Sequence, residues 1–221
     1  MRIRILLADD HNLVRQGLRA LLEKQEDIEI VAEAADGQAA LNLAKETSPD
    51  IIVMDVSMPG LNGIEATHKI INENPGVKVL ALSMYADKRF VTAMLSAGAS
   101  GYILKDRVFD ELVHAIHTVS MGHTYLDPEV ADTLVMEYIY QTKETDQSAF
   151  SILTEREREV LQLLSEGKTV REIALQLSLS AKTIETHRER IMAKLNTHRL
   201  ADLVKYAIRE GLTSLHFNHP V

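Results

Sequence analysis

The 221-residue chain is 46% apolar and 25% charged, a mix that excludes a largely disordered protein, and its length suits two domains of roughly 100–150 residues or less. It has no cysteine, which excludes disulfides, thiolate metal sites and cysteine nucleophiles and suits a reducing compartment. The formal net charge of −8 is unevenly spread: residues 1–120 hold 12 Lys/Arg against 17 Asp/Glu, residues 121–150 hold 1 against 6, and residues 151–221 hold 11 against 9, so only the last segment has a basic surplus.

The opening Met1–Asp10 reaches its acids after one short apolar run, so it reads as neither signal peptide nor membrane span, and a cytoplasmic protein is expected. Over residues 1–120, short β-branched runs alternate with helical patterns. The strands predicted are Ile3–Ala8, Ile28–Glu33, Ile51–Met54, Val77–Leu82 and Gly101–Leu104. Between them, Leu13, Gly17, Leu18, Leu21 and Leu22, then Ala40, Leu41 and Ala44, are spaced for one helical face. Five βα repeats imply an α/β doubly wound, five-stranded parallel sheet with helices on both faces, because each crossover must bury a side of the sheet.

Asp127-Pro128 has the form of a helix start, with a capping acid and proline at the first position; Ala131, Leu134, Val135 and Tyr138 then form a stripe, so an extra helix is expected near 128–140. Gln141–Ser148 is polar without periodicity and reads as a linker within residues 121–149. From Ile152 onward the pattern is helical. Thr154-Glu-Arg-Glu157 and Thr169-Val-Arg-Glu172 have capping-box form and start helices running to about Ser165 and Leu177. A third helix is expected from Ser180 to Leu195 and a fourth over Arg199–Glu210, giving an all-α four-helix domain over 150–212 with a tail at 213–221.

The first domain concentrates carboxylates where an open parallel sheet binds ligands, outside the carboxyl ends of its strands. Asp9 and Asp10 follow the first strand and Asp55 the third. Three such anions repel unless a cation sits among them, and hard oxygen ligands suit Mg2+. Acids at this position argue against a dinucleotide fold, which needs a glycine-rich turn there. Ser83 after the fourth strand and Lys105 after the fifth add a hydroxyl and an ammonium, the groups that would stabilise a phosphoryl anion on Asp55.

Leu7-Ala-Asp-Asp10, Asp55-Val-Ser-Met-Pro-Gly-Leu-Asn-Gly63, Leu82-Ser83 and Gly101-Tyr-Ile-Leu-Lys105 stand in the order and spacing of bacterial response-regulator receiver domains, which residues 1–120 resemble. The resemblance implies a flavodoxin-like receiver in which Asp55 is the phosphoacceptor, attacking a phosphohistidine on a sensor histidine kinase. Asp10, Asp55 and the Ser57 carbonyl would hold Mg2+ directly and Asp9 through water. Ser83 and Lys105 would hold the phosphoryl oxygens, and Tyr102 would swing inward as the switch aromatic when Ser83 moves. Asp106 stands where many receivers have proline, a departure that bears on that loop and not on the chemistry.

On a helical wheel, Ile184, Ile191, Leu195 and the stem of Arg188 gather on one side, while Lys182, Thr186, Glu189, Arg190 and Ala193 face away and Glu185 lies at the border. With the helix Thr169–Leu177 and the turn Ser178-Leu-Ser180, this makes a helix-turn-helix whose second helix can enter a major groove. His187, on the flank, reads as a hydrogen-bonded structural residue. Leu153-Thr-Glu-Arg-Glu-Arg-Glu-Val-Leu161, Val170-Arg-Glu-Ile-Ala174 and Ser180-Ala-Lys-Thr-Ile-Glu-Thr-His187 resemble the LuxR/FixJ/NarL-type DNA-binding domain. The resemblance places Lys182, Thr183, Glu185, Thr186, Arg188, Glu189 and Arg190 at double-stranded DNA. Glu185 could accept from cytosine N4, or could order Arg188 or Lys182. The expected whole is a two-component transcription regulator and not a turnover enzyme, working as a homodimer on phosphorylation, with RNA polymerase as a further candidate partner and no membrane contact. A haloacid-dehalogenase-type phosphohydrolase would need an acid at position 57, which is Ser. A phosphorylation-independent docking module would not need Asp9, Asp10, Asp55 and Lys105 together.

Overall fold

The computed structural model describes residues 2–140, 152–197 and 199–213. The chain divides into two compact units, Met1–Lys143 and Glu144–Val221.

The first unit is a parallel sheet built from β1 (Ile3–Ala8), β2 (Ile28–Ala34), β3 (Ile51–Asp55), β4 (Lys78–Ser83), β5 (Gly101–Leu104) and β6 (Tyr125–Leu126) in the order β2-β1-β3-β4-β5-β6. Helices α1 (Asn12–Leu22), α2 (Gly37–Thr47), α3 (Gly63–Glu73), α4 (Lys88–Ser96) and α5 (Val108–Ser120) alternate with the first five strands. The doubly wound parallel sheet is as expected, but it has six strands and not five. The sixth is a two-residue parallel pairing, Gly101 with Tyr125 and Tyr102 with Leu126, too short for any periodicity to mark it. Every residue of β3 is buried, because helices cover both faces and no solvent side remains. Ile5, Leu7, Ile51, Val53, Leu80, Leu82 and Ile103 pack with Leu18 and Leu22 of α1 and Leu112, Ile116 and Val119 of α5 in one cluster.

Two predicted stripes shift in detail. Leu13 is 87% exposed, and Val14 packs in its place beside Leu21 at the core. In α6 (Pro128–Tyr140), Val135 is 56% exposed while Val130 is buried; the side chain of Tyr138 and the linker Gln141–Ser148 lie outside the described residues. Asp127 does open this helix, its Oδ1 accepting from the Glu129 amide at 3.1 Å.

The second unit holds α7 (Glu155–Ser165), α8 (Val170–Gln176), α9 (Ala181–Lys194) and α10 (Leu200–Arg209). Both capping boxes form: Thr154 N donates to Glu157 Oε2 at 2.8 Å and Thr169 N to Glu172 Oε2 at 2.7 Å, each matched by a return bond from the glutamate amide to the threonine hydroxyl at 3.3 Å. Ser178 takes a left-handed φ of 52° between α8 and α9, turning the chain so that Ser180 Oγ can accept from the Thr183 amide at 3.1 Å and start α9. Val160, Leu161, Leu164, Ile173, Ile184, Ile191, Leu203 and Ala207 form its core, with Leu195 packed against them. Apart from Thr213, which is buried, the expected tail lies outside the described residues.

Candidate functional site

The strand order reverses between β1 and β3, which pair from Ile5 with Ile51 to Ala8 with Met54. Their chain ends therefore leave the sheet side by side, carrying Asp9, Asp10 and Asp55 to one edge. Asp9 and Asp55 are 1% and 2% exposed. Gly63 is required beneath them: a β-carbon there would overlap the Asp55 carbonyl oxygen and lie 2.9 Å from its carbonyl carbon, and its amide donates to the Val56 carbonyl at 2.9 Å. Asn62 caps α3 at the same point, its side chain accepting from the Glu65 amide at 2.9 Å.

Lys105, at the end of β5, closes the pocket. Its Nζ lies 2.7 Å from Asp55 Oδ2 and 2.8 Å from Asp9 Oδ2, with the side chain 6% exposed. Burial pulls the Lys105 ammonium down, but the Asp55 and Asp9 carboxylates outweigh it and hold the group above its ordinary value. Burial pushes the Asp55 carboxyl up to about 7; Lys105 opposes the shift and Asp9 reinforces it. Asp55 Oδ1 accepts from the Ser57 amide at 3.1 Å. Asp9 Oδ2 and Asp10 Oδ1 are buried, and the cationic or ring nitrogens beside them are Lys105 Nζ and His11 Nδ1, each at 2.8 Å. Two such oxygens beside a third carboxylate are a donor set that fits a hard divalent cation.

Ser83 is buried at the end of β4, its carbonyl accepting from the Lys105 amide at 2.7 Å. Its hydroxyl accepts from the Tyr85 amide at 3.1 Å, and the Tyr85 carbonyl accepts from the Tyr102 hydroxyl at 2.9 Å. Tyr102 is fully buried. Burial raises its phenol above the ordinary range, the Ser83 hydroxyl opposing. The expected aromatic at Tyr102 is thus already turned inward, and the Ser83–Tyr85 segment is what joins it to the pocket.

One residue at this edge was missed by reading the sequence. His11 Nδ1 lies 2.8 Å from Asp10 Oδ1, 3.3 Å from Asp9 Oδ1 and 4.0 Å from Asp55 Oδ2, and its amide donates to Asp9 Oδ1 at 2.8 Å. The signal was the run Asp9-Asp10-His11 itself, three metal-ligating side chains directly after a strand.

On α9, Lys182, Glu185, Glu189, Arg190 and Ala193 are exposed, while Thr183, Thr186 and Arg188 are half-buried. Ile184 and Ile191 are fully buried, so the helix presents the face that the wheel predicts. Thr186 Oγ1 donates to the Lys182 carbonyl at 3.0 Å, and Thr183 Oγ1 meets Ser180 Oγ at 2.7 Å. Arg188 Nη1 donates to Glu185 Oε2 at 3.4 Å, the internal arrangement that was one of the alternatives for Glu185. Lys194, at the last turn of α9, donates to Glu157 Oε2 at 2.6 Å and ties that end to the capping box of α7. His187 Nδ1 is buried without the hydrogen bond expected of it.

The comparisons agree with this division. Residues 5–117 match the response regulator receiver domain family and residues 151–207 the luxR family of bacterial regulatory proteins. The oxygen regulatory protein NreC of Staphylococcus carnosus is 41% identical over 214 residues, covering 95% of this chain and 99% of that protein. The response regulator RcsB of Salmonella typhimurium, solved in a study of its conformational dynamism for DNA interaction, superposes with a TM-score of 0.66 at 27% identity over 93% of this chain and 96% of its own. A structure of two RcsB dimers bound to two parallel DNAs matches with a TM-score of 0.58 at 28% identity, covering 93% of this chain and 98% of that one.

Proposed function

Because the chain belongs to the response regulators that join a receiver domain to a LuxR-type DNA-binding domain, we propose that Asp55 is its phosphoacceptor and that phosphorylation there governs dimerisation and operator binding through α9. The observation that carries this reading is Lys105 Nζ held between Asp55 Oδ2 and Asp9 Oδ2 at 2.7 and 2.8 Å in a pocket with almost no solvent. A lysine there neutralises charge without blocking Asp55 Oδ1, which meets only a backbone amide.

In this reading the kinase presents a phosphohistidine; an Asp55 carboxylate oxygen attacks phosphorus, the P–O bond forms and the P–N bond breaks, and the imidazole leaves with the electron pair. Asp10, Asp55 and the Ser57 carbonyl would hold Mg2+ directly and Asp9 through water, and the ion would supply neutralising charge for the phosphoryl oxygens. Lys105 opposes the upward push of burial on Asp55, then turns its ammonium to the new phosphoryl group. Phosphorylation adds about 1.5–2 negative charges. The Ser83 hydroxyl follows that charge, and Tyr85, bonded to both Ser83 and Tyr102, moves with it.

Residues 151–221 carry 11 basic against 9 acidic side chains, so one copy neutralises few phosphates and binds weakly. Two copies on paired half-sites double that charge and match a symmetric operator, as with the RcsB dimers on DNA. On α9, Lys182, Thr183, Glu185, Thr186, Arg188, Glu189 and Arg190 face the duplex, with Glu185 ordering Arg188 before contact. The cytoplasm is the proposed compartment; among the described residues no helix is long and apolar enough to cross a membrane. The test is intact mass after incubation with acetyl phosphate and Mg2+: one phosphoryl group is expected on wild type and none on Asp55→Ala or after chelation. Equal incorporation by Asp55→Ala would sink the assignment.

A further inference from the structure

The edge that carries the three carboxylates also carries an imidazole. We propose that His11 is a nitrogen ligand in this site, so that the pocket takes octahedral transition ions such as Mn2+ and Ni2+ in preference to Mg2+. The inference rests on the magnesium reading above, since it adds a ligand to the same donor set.

The distances carry it. Ligands bound at about 2.1 Å around an octahedral ion stand about 3.0 Å apart when adjacent and about 4.2 Å apart when opposite. His11 Nδ1 stands 2.8 Å from Asp10 Oδ1 and 3.3 Å from Asp9 Oδ1, the adjacent spacing, and 4.0 Å from Asp55 Oδ2, the opposite spacing. One ligand atom from each of the four residues falls within 4.8 Å of every other. The backbone sets this geometry: His11 is the N-cap of α1 in extended conformation, and its amide donates to Asp9 Oδ1, which folds the side chain back over the carboxylates. Arg15 Nη1 donates to the Asp9 carbonyl at 2.6 Å and holds the same turn from the next helical turn. The ring is 46% exposed, so an ion can reach Nδ1 without unfolding anything.

The consequence is selectivity. Magnesium takes oxygen donors and gains little from a nitrogen, whereas an imidazole suits divalent first-row ions, whose affinity rises from Mn2+ toward Ni2+. His11 therefore makes the pocket respond to which metal is available, at the site where the phosphoryl group is received. It acts on the metal and does not touch the transferred phosphorus, so it is a metal ligand and not the nucleophile or its base.

The full chain is loaded with Mn2+ and its electron spin-echo modulation recorded. Wild type should show nitrogen coupling from a bound imidazole, and His11→Ala and His11→Asn should both lose it. Calorimetric titration supplies the second readout: either variant should bind Ni2+ on the order of tenfold or more weakly, with Mg2+ affinity held within about threefold because its oxygen donors are intact. Wild-type binding of Mg2+ and Mn2+ without nitrogen coupling, or variants that bind all three ions as wild type does, would overturn the role of His11 and leave the magnesium site standing. A wild-type protein that binds none of them would overturn both.

Discussion

Replacing Lys105 by methionine keeps the volume of the side chain and removes the one ammonium between Asp9 and Asp55. At an effective dielectric of about 20, each contact at 2.7–2.8 Å is worth about 6 kcal/mol of attraction, most of which offsets the cost of burying the charges. Removing one partner of such a cluster leaves carboxylates uncompensated and costs about 3–5 kcal/mol. For a unit of this size that lowers the receiver melting transition by about 10–15 °C at neutral pH. Two controls follow from the same charges. Mg2+ should restore part of the loss, because it replaces the missing positive charge. Mild acid should restore part as well: Asp55 already has a raised value from burial, and without Lys105 it rises further. The folded form then holds more protons than the unfolded one, so stability is lost as pH rises and regained as it falls. Differential scanning calorimetry of the whole chain at neutral and mildly acidic pH, with Mg2+ or chelator, reads all three. A Lys105→Met receiver that melts with wild type in chelator at neutral pH would refute the claim that this ammonium balances the pocket.

Gly63→Ala places a methyl against the Asp55 carbonyl, a backbone group with no room to yield, so it should cost about 1–3 kcal/mol and slow acetyl phosphate incorporation, read by intact mass over time. In the second unit, Glu157 accepts from Thr154 and from Lys194 while almost fully buried; Glu157→Gln should lower the helical domain's melting transition, read by calorimetry at neutral pH. Burial pushes the Glu157 carboxyl up, but the Lys194 and Thr154 bonds outweigh it and leave it below its ordinary 4.5. Its contribution is therefore present above that value and lost as pH falls through the lower folded one, so wild type and Glu157→Gln should converge in acid. Arg190→Ala, at an exposed position on α9, should weaken operator binding and reduce the steepness of its salt dependence in fluorescence anisotropy titrations.

Most of the candidate pocket is legible in the sequence, because its residues sit at strand ends and strand ends are written there. Asp9 and Asp10 close the run Ile3–Ala8, and Asp55 closes a β-branched run, so the one unknown was whether those strands are neighbours. Side-chain partnerships were less legible: that Lys105 bridges two acids depends on tertiary placement, and that Glu185 holds Arg188, one of the alternatives its spacing offered, depends on rotamer. Leu13 misled because its spacing fits the apolar stripe of α1, yet it is exposed in the first turn of that helix. Tyr125–Leu126 was missed because a two-residue pairing has no period. An inward Tyr102 came only from the resemblance, since a tyrosine within a strand run looks the same in sequence whichever way its ring points.

The coupling of Asp55 to α9 is tested most directly by operator affinity of the full chain with and without fluoroberyllate and Mg2+, measured alongside its sedimentation. Wild type should shift from monomer to dimer and bind the operator more tightly with the mimic, while Asp55→Asn should do neither. Equal operator affinity for wild type in both states would contradict the account.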